Sequence, residues 1–324
     1  MRGTKEQLPR SFVRATRARR GFALVGTIAA AGAWSMPAAA SDGVLEINQT
    51  CATQTGCFAG DTAGLPVTIN GSAGRSYRLT SDLVVPTENT DGIQISTDTI
   101  RIDLAGFEIR GPVVCSGTPL TCVPSTGTGS GVEANVATLS GISVRNGSIR
   151  GMGSFGVFLG IQAEVTELRV SSNRQYGIYA SVGSTVSGSK ANLNGTVGIY
   201  AEFGSVVSGN TAHHNGVSGI FVSSGSTVSG NTSYQNGDDG IVTGSGSTVS
   251  GNASTLNGGD GISANAGSIV SGNTVRSNNF FGLFLGTQAG YRENVVTNNT
   301  GGTVSGASAV NLGNNACNGS TVCP

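Results

Sequence analysis

The sequence predicts an all-β solenoid, a single-stranded parallel β-helix of about ten rungs. Three observations predict it. A step of 21 residues recurs without drift: Asn215, Asn236 and Asn257 keep it, as do Gly219, Gly240 and Gly261. Within each step the apolar residues fall two apart in short runs such as "GIYAS" and "GIFVS", the period of a strand and not of a helix. The 324 residues also include 52 glycines and only 11% charged residues, against roughly 25% in an average globular domain. Low charge with recurrent Val and Ile excludes a disordered chain, so the glycines belong to the turns of an ordered array.

The elements follow in order. Residues 1–40 read as a signal peptide for the Sec or the Tat route. They hold a basic stretch, an apolar run from Gly21 to Trp34 and a small-residue cleavage site at Ala38-Ala39-Ala40, and Arg19-Arg20-Gly21-Phe22-Ala23 resembles a twin-arginine signal. Residues 41–90 are expected to form an N-terminal cap and 303–324 a C-terminal one, because an open coil end is an unpaired sheet edge. Rungs are expected over 91–302. "DGIQISTDTIRIDLAGFEIRG" (91–111) and "GVEANVATLSGISVRNGSIRG" (131–151) align as two of them, separated by an insertion at 112–130. Asn48, outside the repeat, is expected to be dispensable.

Regular units then open at Gly156, Gly177, Gly198, Gly219, Gly240, Gly261 and Gly282. The next residue is always apolar, from Val157 through Ile178 to Leu283. An Asn closes each unit at 173, 194, 215, 236, 257, 278 and 299, and a second Asn series runs through 210, 231, 252, 273 and 294. Equivalent residues of neighbouring rungs stack ~4.8 Å apart, so an Asn amide can donate to the Asn carbonyl of the next rung. Glycines are expected where turns need positive φ. Ten rungs at that spacing predict a length of roughly 45–50 Å.

The motif G-I-x-x-x-x-G-S-x-V-S-G-N-x-x-x-x-N-G carries a resemblance. From Gly92 onward, about two-thirds of the chain resembles the right-handed parallel β-helix repeat family, within the pectin-lyase-like superfamily. The resemblance implies the fold and its right-handed coil. It says little about activity, because that superfamily holds lyases, hydrolases, epimerases, adhesins and phage tail proteins.

Six cysteines agree with export. They form three close pairs, Cys51 and Cys57, Cys115 and Cys122, Cys317 and Cys323, and local pairing is the simplest of the 15 connectivities that six cysteines allow. The residues after 40 hold 11 of 18 basic and 17 of 18 acidic side chains, a net charge of 11 − 17 = −6. Such a chain is a poor nucleic-acid binder. No later apolar run is long enough to span a membrane.

Catalytic patterns are weak. Hydrolases of the polygalacturonase type carry N-T-D, D-D, G-H-G and R-x-K. Here Asn89-Thr90-Asp91 and Asp238-Asp239 lie on rungs about 30 Å apart, with no G-H-G and no R-x-K. Mannuronan epimerases follow Y-G-[FI] with D-P-H, and Tyr176-Gly177-Ile178 has only the first half. Asp239 and Asp260 hold one template position on adjacent rungs with Asp238 beside them, a candidate calcium set. Acids in solvated turns are the plainer account, and Arg276 is expected on a different face. His213 and His214, the two histidines, lack further ligands in register for zinc.

The strongest pattern is a stripe. Two residues after the unit glycine stand Phe158, Tyr179, Tyr200 and Phe221, then Val242, Ser263 and Phe284. Their neighbours are apolar and face the core, so these side chains face out. Four aromatics in consecutive rungs form a flat column on which a polysaccharide could stack; ring stacking within the sheet, cover by the insertion 112–130 or a contact between copies would also account for them. The reading is therefore a secreted, non-catalytic solenoid that engages an extracellular polysaccharide along its flank. A calcium-assisted polysaccharide lyase using Asp238, Asp239 and Asp260, and a structural or adhesive surface protein, are the alternatives. No cofactor is required by the first reading, calcium is the one candidate for the second, and the oligomeric state is open.

Overall fold

Alternating apolar residues two apart, cut every few positions by Gly, Ser or Asn, leave room only for short strands, and these stack in parallel. The computed structural model describes residues 43–71 and 74–324; the expected signal peptide lies outside the described residues. Each unit contributes three short strands, so the coil has three faces. In the unit opened by Gly198 they are Ile199–Ala201, Val206–Ser208 and Thr211–His213. The first of these belongs to a sheet of eleven parallel strands, called the third face below. The other two belong to a sheet of 21 strands, because the longer strands Ser143–Arg150 and Glu164–Ser171 run through two faces at once.

The coil is longer than ten rungs. It makes about twelve turns, because strands in register occur before the region where the 21-residue step is legible. Leu45–Ile47 pairs with Ser76–Leu79, and that strand pairs with Arg101–Asp103. Val67–Ile69 pairs with Ile93–Ile95. Irregular turns between these strands hide the period from the sequence. A short helix, Gln49–Gln54, follows the first strand. Asn48, outside the repeat, has a local role: it caps that helix, its side-chain oxygen accepting from the Cys51 amide at 2.9 Å.

The core is a stack of identical side chains. Every third-face strand from Val157–Leu159 to Ile262–Ala264 buries its first and third residues and leaves the middle one half-exposed. Val186, Val207, Val228, Val249 and Val270 lie fully buried on the adjoining face. Like packs on like at each step, so one good rung geometry serves them all.

Each of the three turns carries a side-chain ladder. The Asn194 amide and Nδ2 both donate to Asn215 Oδ1, at 3.1 and 3.0 Å. Asn215 does the same to Asn236, and Asn236 to Asn257. The second Asn series repeats the pattern from Asn210 to Asn315. The serine of the G-S step in the motif forms a third series whose role the spacing did not reveal: Ser184, Ser205, Ser226, Ser247 and Ser268, each hydroxyl accepting the backbone amide of the rung before it. The ladders satisfy buried turn amides that the strands leave unpaired.

The glycines serve two purposes, not one. Gly204 and Gly209 have φ near +69° and +65°, as the turns demand. The unit-opening glycines do not. A Cβ on Gly198 would lie 2.6 Å from Asn215 Nδ2 and 2.7 Å from the Gly219 carbonyl. Space under the ladder, not backbone conformation, requires glycine there.

The three disulfides pair locally as expected, Cys51–Cys57, Cys115–Cys122 and Cys317–Cys323. The insertion forms an antiparallel hairpin, Val114–Ser116 with Thr121–Val123. Its tip at Gly117–Leu120 lies along the turn that carries Leu193, His214 and Gln235. Among the described residues no helix is long and apolar enough to cross a membrane.

Candidate functional site

The third face is where the sequence puts its aromatic residues, and its strand register brings them together. Phe158 is paired with Tyr179, Tyr179 with Tyr200 and Tyr200 with Phe221. Their ring centroids are 5.0, 4.9 and 5.2 Å apart, with planes within 24°, 8° and 7° of parallel. The rings therefore cover part of each other's faces, and all four side chains are half-buried. The column is not the flat exposed surface expected from the sequence. Its outer side consists of ring edges and the tyrosine hydroxyls.

Two further aromatics join it. Phe155 and Tyr176 precede their unit glycines and stack on each other at 5.5 Å and 16°. Phe155 meets Phe158 at 5.1 Å, and Tyr176 meets Tyr179 and Tyr200 edge-on at 6.0 and 5.6 Å. Sequence reasoning overlooked this second column, although "FGVF" and "YGIY" display it. The hairpin packs on the neighbouring turn, where Cys115 Sγ lies 3.8 Å from the Asn173 carbonyl, and the end of the insertion runs beside Phe155, the Ser154 amide donating to the Gly129 carbonyl at 2.8 Å. Phe284 stands apart. Val242 and Ser263 separate it from Phe221 in register, and it is 45% exposed.

Carboxyl groups border the rings. The Tyr179 hydroxyl donates to Glu202, and Ser181 Oγ donates to the same carboxylate at 2.7 Å. Burial, reinforced by Glu202, raises the Tyr179 pKa above the usual tyrosine range. At the N-terminal end Glu133 stands in register between Gln94 and Phe158. Burial raises both Glu133 and its neighbour Asp91 above ordinary carboxyl values, and Asp91 also disfavours the charge on Glu133.

The three candidate calcium ligands lie at the other end. Asp239 Oδ1 accepts from the Asp260 amide at 2.6 Å, and Asp260 Oδ1 accepts from the Phe281 amide at 2.7 Å. Asp91 Oδ1 does the same for Ser130 at 2.7 Å. These acids staple one rung to the next. Burial pushes Asp239 up to about 6, with the charges of Asp238 and Asp260 adding to the effect, and raises Asp260 as well. Among the described residues no group of three His, Cys, Asp or Glu side chains has the arrangement of a metal site. Arg276 is on a strand of the other sheet, Thr274–Arg276.

The histidines also sit off this face, on the strand Thr211–His213 and in the turn after it. His213 stacks on Tyr234 at 4.7 Å and 10°, and its Nδ1 lies 2.8 Å from His214 Nδ1. Burial lowers the His213 pKa, with His214 and Lys190 adding to it.

Comparison with known proteins agrees with this architecture. The profile described as "Right handed beta helix region" matches residues 130–268 and 183–317. No curated protein matches the sequence. A double mutant of the periplasmic alginate epimerase AlgG shares the fold with a TM-score of 0.51 at 16% identity, over 84% of this chain and 72% of the epimerase. The Dettilon tailspike protein gives 0.56 at 14% identity, over 78% of this chain and 62% of the tailspike. The enzymatically active domain of bacteriophage CBA120 tailspike protein 2 gives 0.55 at 13%, over 81% and 50%. At these identities the likeness is one of fold.

Proposed function

Because this chain belongs to the right-handed β-helix family, we propose that it acts as an exported solenoid that binds a polysaccharide along the aromatic column of its third face. The observation that carries the reading is the set of six clustered rings, Phe155, Phe158, Tyr176, Tyr179, Tyr200 and Phe221, half-exposed on one side of the coil. Stacking within the sheet accounts for part of their burial. It does not account for aromatic side chains on an outward position that Ser263 fills elsewhere. Ring edges and hydroxyls spaced one rung apart match a chain whose hexoses repeat roughly every 5 Å. An extended glycan is the partner whose shape fits a long straight face. That one structural neighbour is named an alginate epimerase is consistent with this class of partner. The local disulfides fit export. The reading is one of binding, since Asp91, Glu202, Asp239 and Asp260 serve rung-to-rung and hydroxyl contacts.

Affinity electrophoresis tests the proposal. The chain without residues 1–40 is run through native gels with and without dissolved polysaccharide. Retardation that disappears in Tyr179→Ala with Phe221→Ala, with the circular dichroism spectrum kept, is the expected result. Retardation unchanged in that double variant overturns the proposal. Loss of self-association in the variant, with no glycan effect, would assign the column to a contact between copies.

A further inference from the structure

Charge is divided between the faces of the coil. The eleven strands of the third face contain no Lys or Arg, and one acid, Glu133. After residue 40 the chain has eleven basic residues, and nine lie in strands of the other sheet: Arg78, Arg101, Arg110, Arg145, Arg150, Arg169, Lys190, Arg276 and Arg292. Arg75 precedes one of those strands. The last, Arg174, lies in a turn beside the column and is partly committed elsewhere. Its Nε donates to the Gly153 carbonyl at 2.5 Å and its Nη2 to the Gly127 carbonyl at 2.8 Å.

The acids lie the other way. Asp91 and Glu133 border one end of the column, Glu202 its middle, and Asp239 and Asp260 the rungs beyond Phe221. A ligand along these rungs meets these five carboxyl groups, with exposed Asp238 beside Asp239, against the single cation Arg174, whose Nε and one Nη2 donor are held by carbonyls. A uronate or sulfated chain would bring one more negative charge with each acidic sugar, against an excess of like charges that one arginine does not offset. Hydroxyl and ammonium groups suit such a surface, since carboxylates accept from both.

We infer that the column takes a non-anionic polysaccharide, a neutral or amino-bearing glycan without carboxylate or sulfate groups. The inference rests on the proposed glycan binding and adds the chemical class of the ligand. It runs opposite to the acidic glycan named for the epimerase of the same fold, so specificity follows the charge of the face and not the backbone architecture.

The test compares three native gels, containing hydroxyethyl cellulose (neutral), soluble chitosan (amino-bearing) and alginate (a uronate). Specific retardation is the part lost in Tyr179→Ala with Phe221→Ala. The expected result is specific retardation by hydroxyethyl cellulose or chitosan, with alginate weaker by on the order of tenfold or more at low salt. Which of the first two gels retards tells a neutral ligand from an amino-bearing one. Asp238→Lys, a change at an exposed turn position, should narrow the gap to alginate. Alginate binding as tight as the others overturns the charge inference and leaves glycan binding standing. No specific retardation in any gel overturns both.

Discussion

The hydroxyl of Tyr179 and the carboxylate of Glu202 are joined across one rung of the coil. The contact ties a column side chain to the turn that follows the next third-face strand. It has a spectroscopic consequence. Tyr179 ionises above the ordinary range, first because it is buried and then because Glu202 stabilises the neutral hydroxyl. Its proton is held more tightly folded than unfolded, so this contribution to stability is complete below pH 10.0 and is lost as the pH climbs through the raised value. Burial also raises Tyr77 and Tyr291, so ultraviolet titration should show a late phenolate signal that loses one tyrosine in Tyr179→Phe and has one component shifted to lower pH in Glu202→Gln. A late signal unmoved in Glu202→Gln would mean that the hydrogen bond does not form.

Removing one Asn from the ladder should cost more than one bond. Asn236→Ala leaves the Asn215 amide and Nδ2 without their Asn236 acceptor and takes the Nδ2 donor from Asn257 Oδ1, which keeps only the backbone amide at 236. A buried group left unsatisfied costs about 1–3 kcal/mol, and a loss of at least that order is expected in chemical denaturation. Asn265→Ala, at an exposed turn position, should cost well under 1 kcal/mol. Equal losses would show that the stacked amides contribute nothing special.

Asp239 predicts a pH signature. Its carboxyl rises from 3.8 to about 6, so the folded state holds the proton more tightly than the unfolded chain does. That contribution is complete below 3.8 and is lost as the pH rises through about 6. Asp239→Asn keeps an oxygen for the Asp260 amide and removes the buried charge. It should raise the melting temperature above pH 6, by about 1 °C or more, and leave it unchanged in strong acid. Calcium held by these acids would lower the crossing point, so the same scan with and without Ca²⁺ reads out that use. A variant equally stabilised at all pH values would contradict the account.

The disulfides close loops of six or seven residues and none joins the two ends of the coil. Short loops constrain the unfolded chain least. Reduction should therefore leave the strand signal in circular dichroism intact, while hydrogen exchange speeds up in residues 114–123. Peptide maps should find only the three local bridges. Unwinding of the ladders on reduction would mean that the caps carry the stability of the whole coil.

How much of this was legible follows from the period. Wherever the step of 21 holds, position alone assigns a residue to a face: Phe158 to Phe221 outward, Val186 to Val270 inward. The strands at Val67–Ile69 and Ser76–Leu79 escaped because their connecting turns differ in length, so no spacing marks them. Glu202 escaped because its position carries Ser223 and Gly244 on the next rungs, and nothing in a single variable turn residue says which ring it reaches. The pairing of Asp91 with Glu133 crosses the insertion, and the step is lost there. Ring stacking was likewise invisible, since spacing places side chains on a face without giving their tilt.

The ladders have a consequence for how such a chain changes over generations. Asn194 offers Asn215 the same two donors that Asn236 offers Asn257. Excision or duplication of one whole 21-residue unit therefore joins partners that already fit, and a gene that gains or loses 63 nucleotides in phase, three per codon for each unit, keeps every contact but those at the seam. The coil behaves as a ruler whose length is set by copying errors, and the number of rings offered to a partner is inherited as a count.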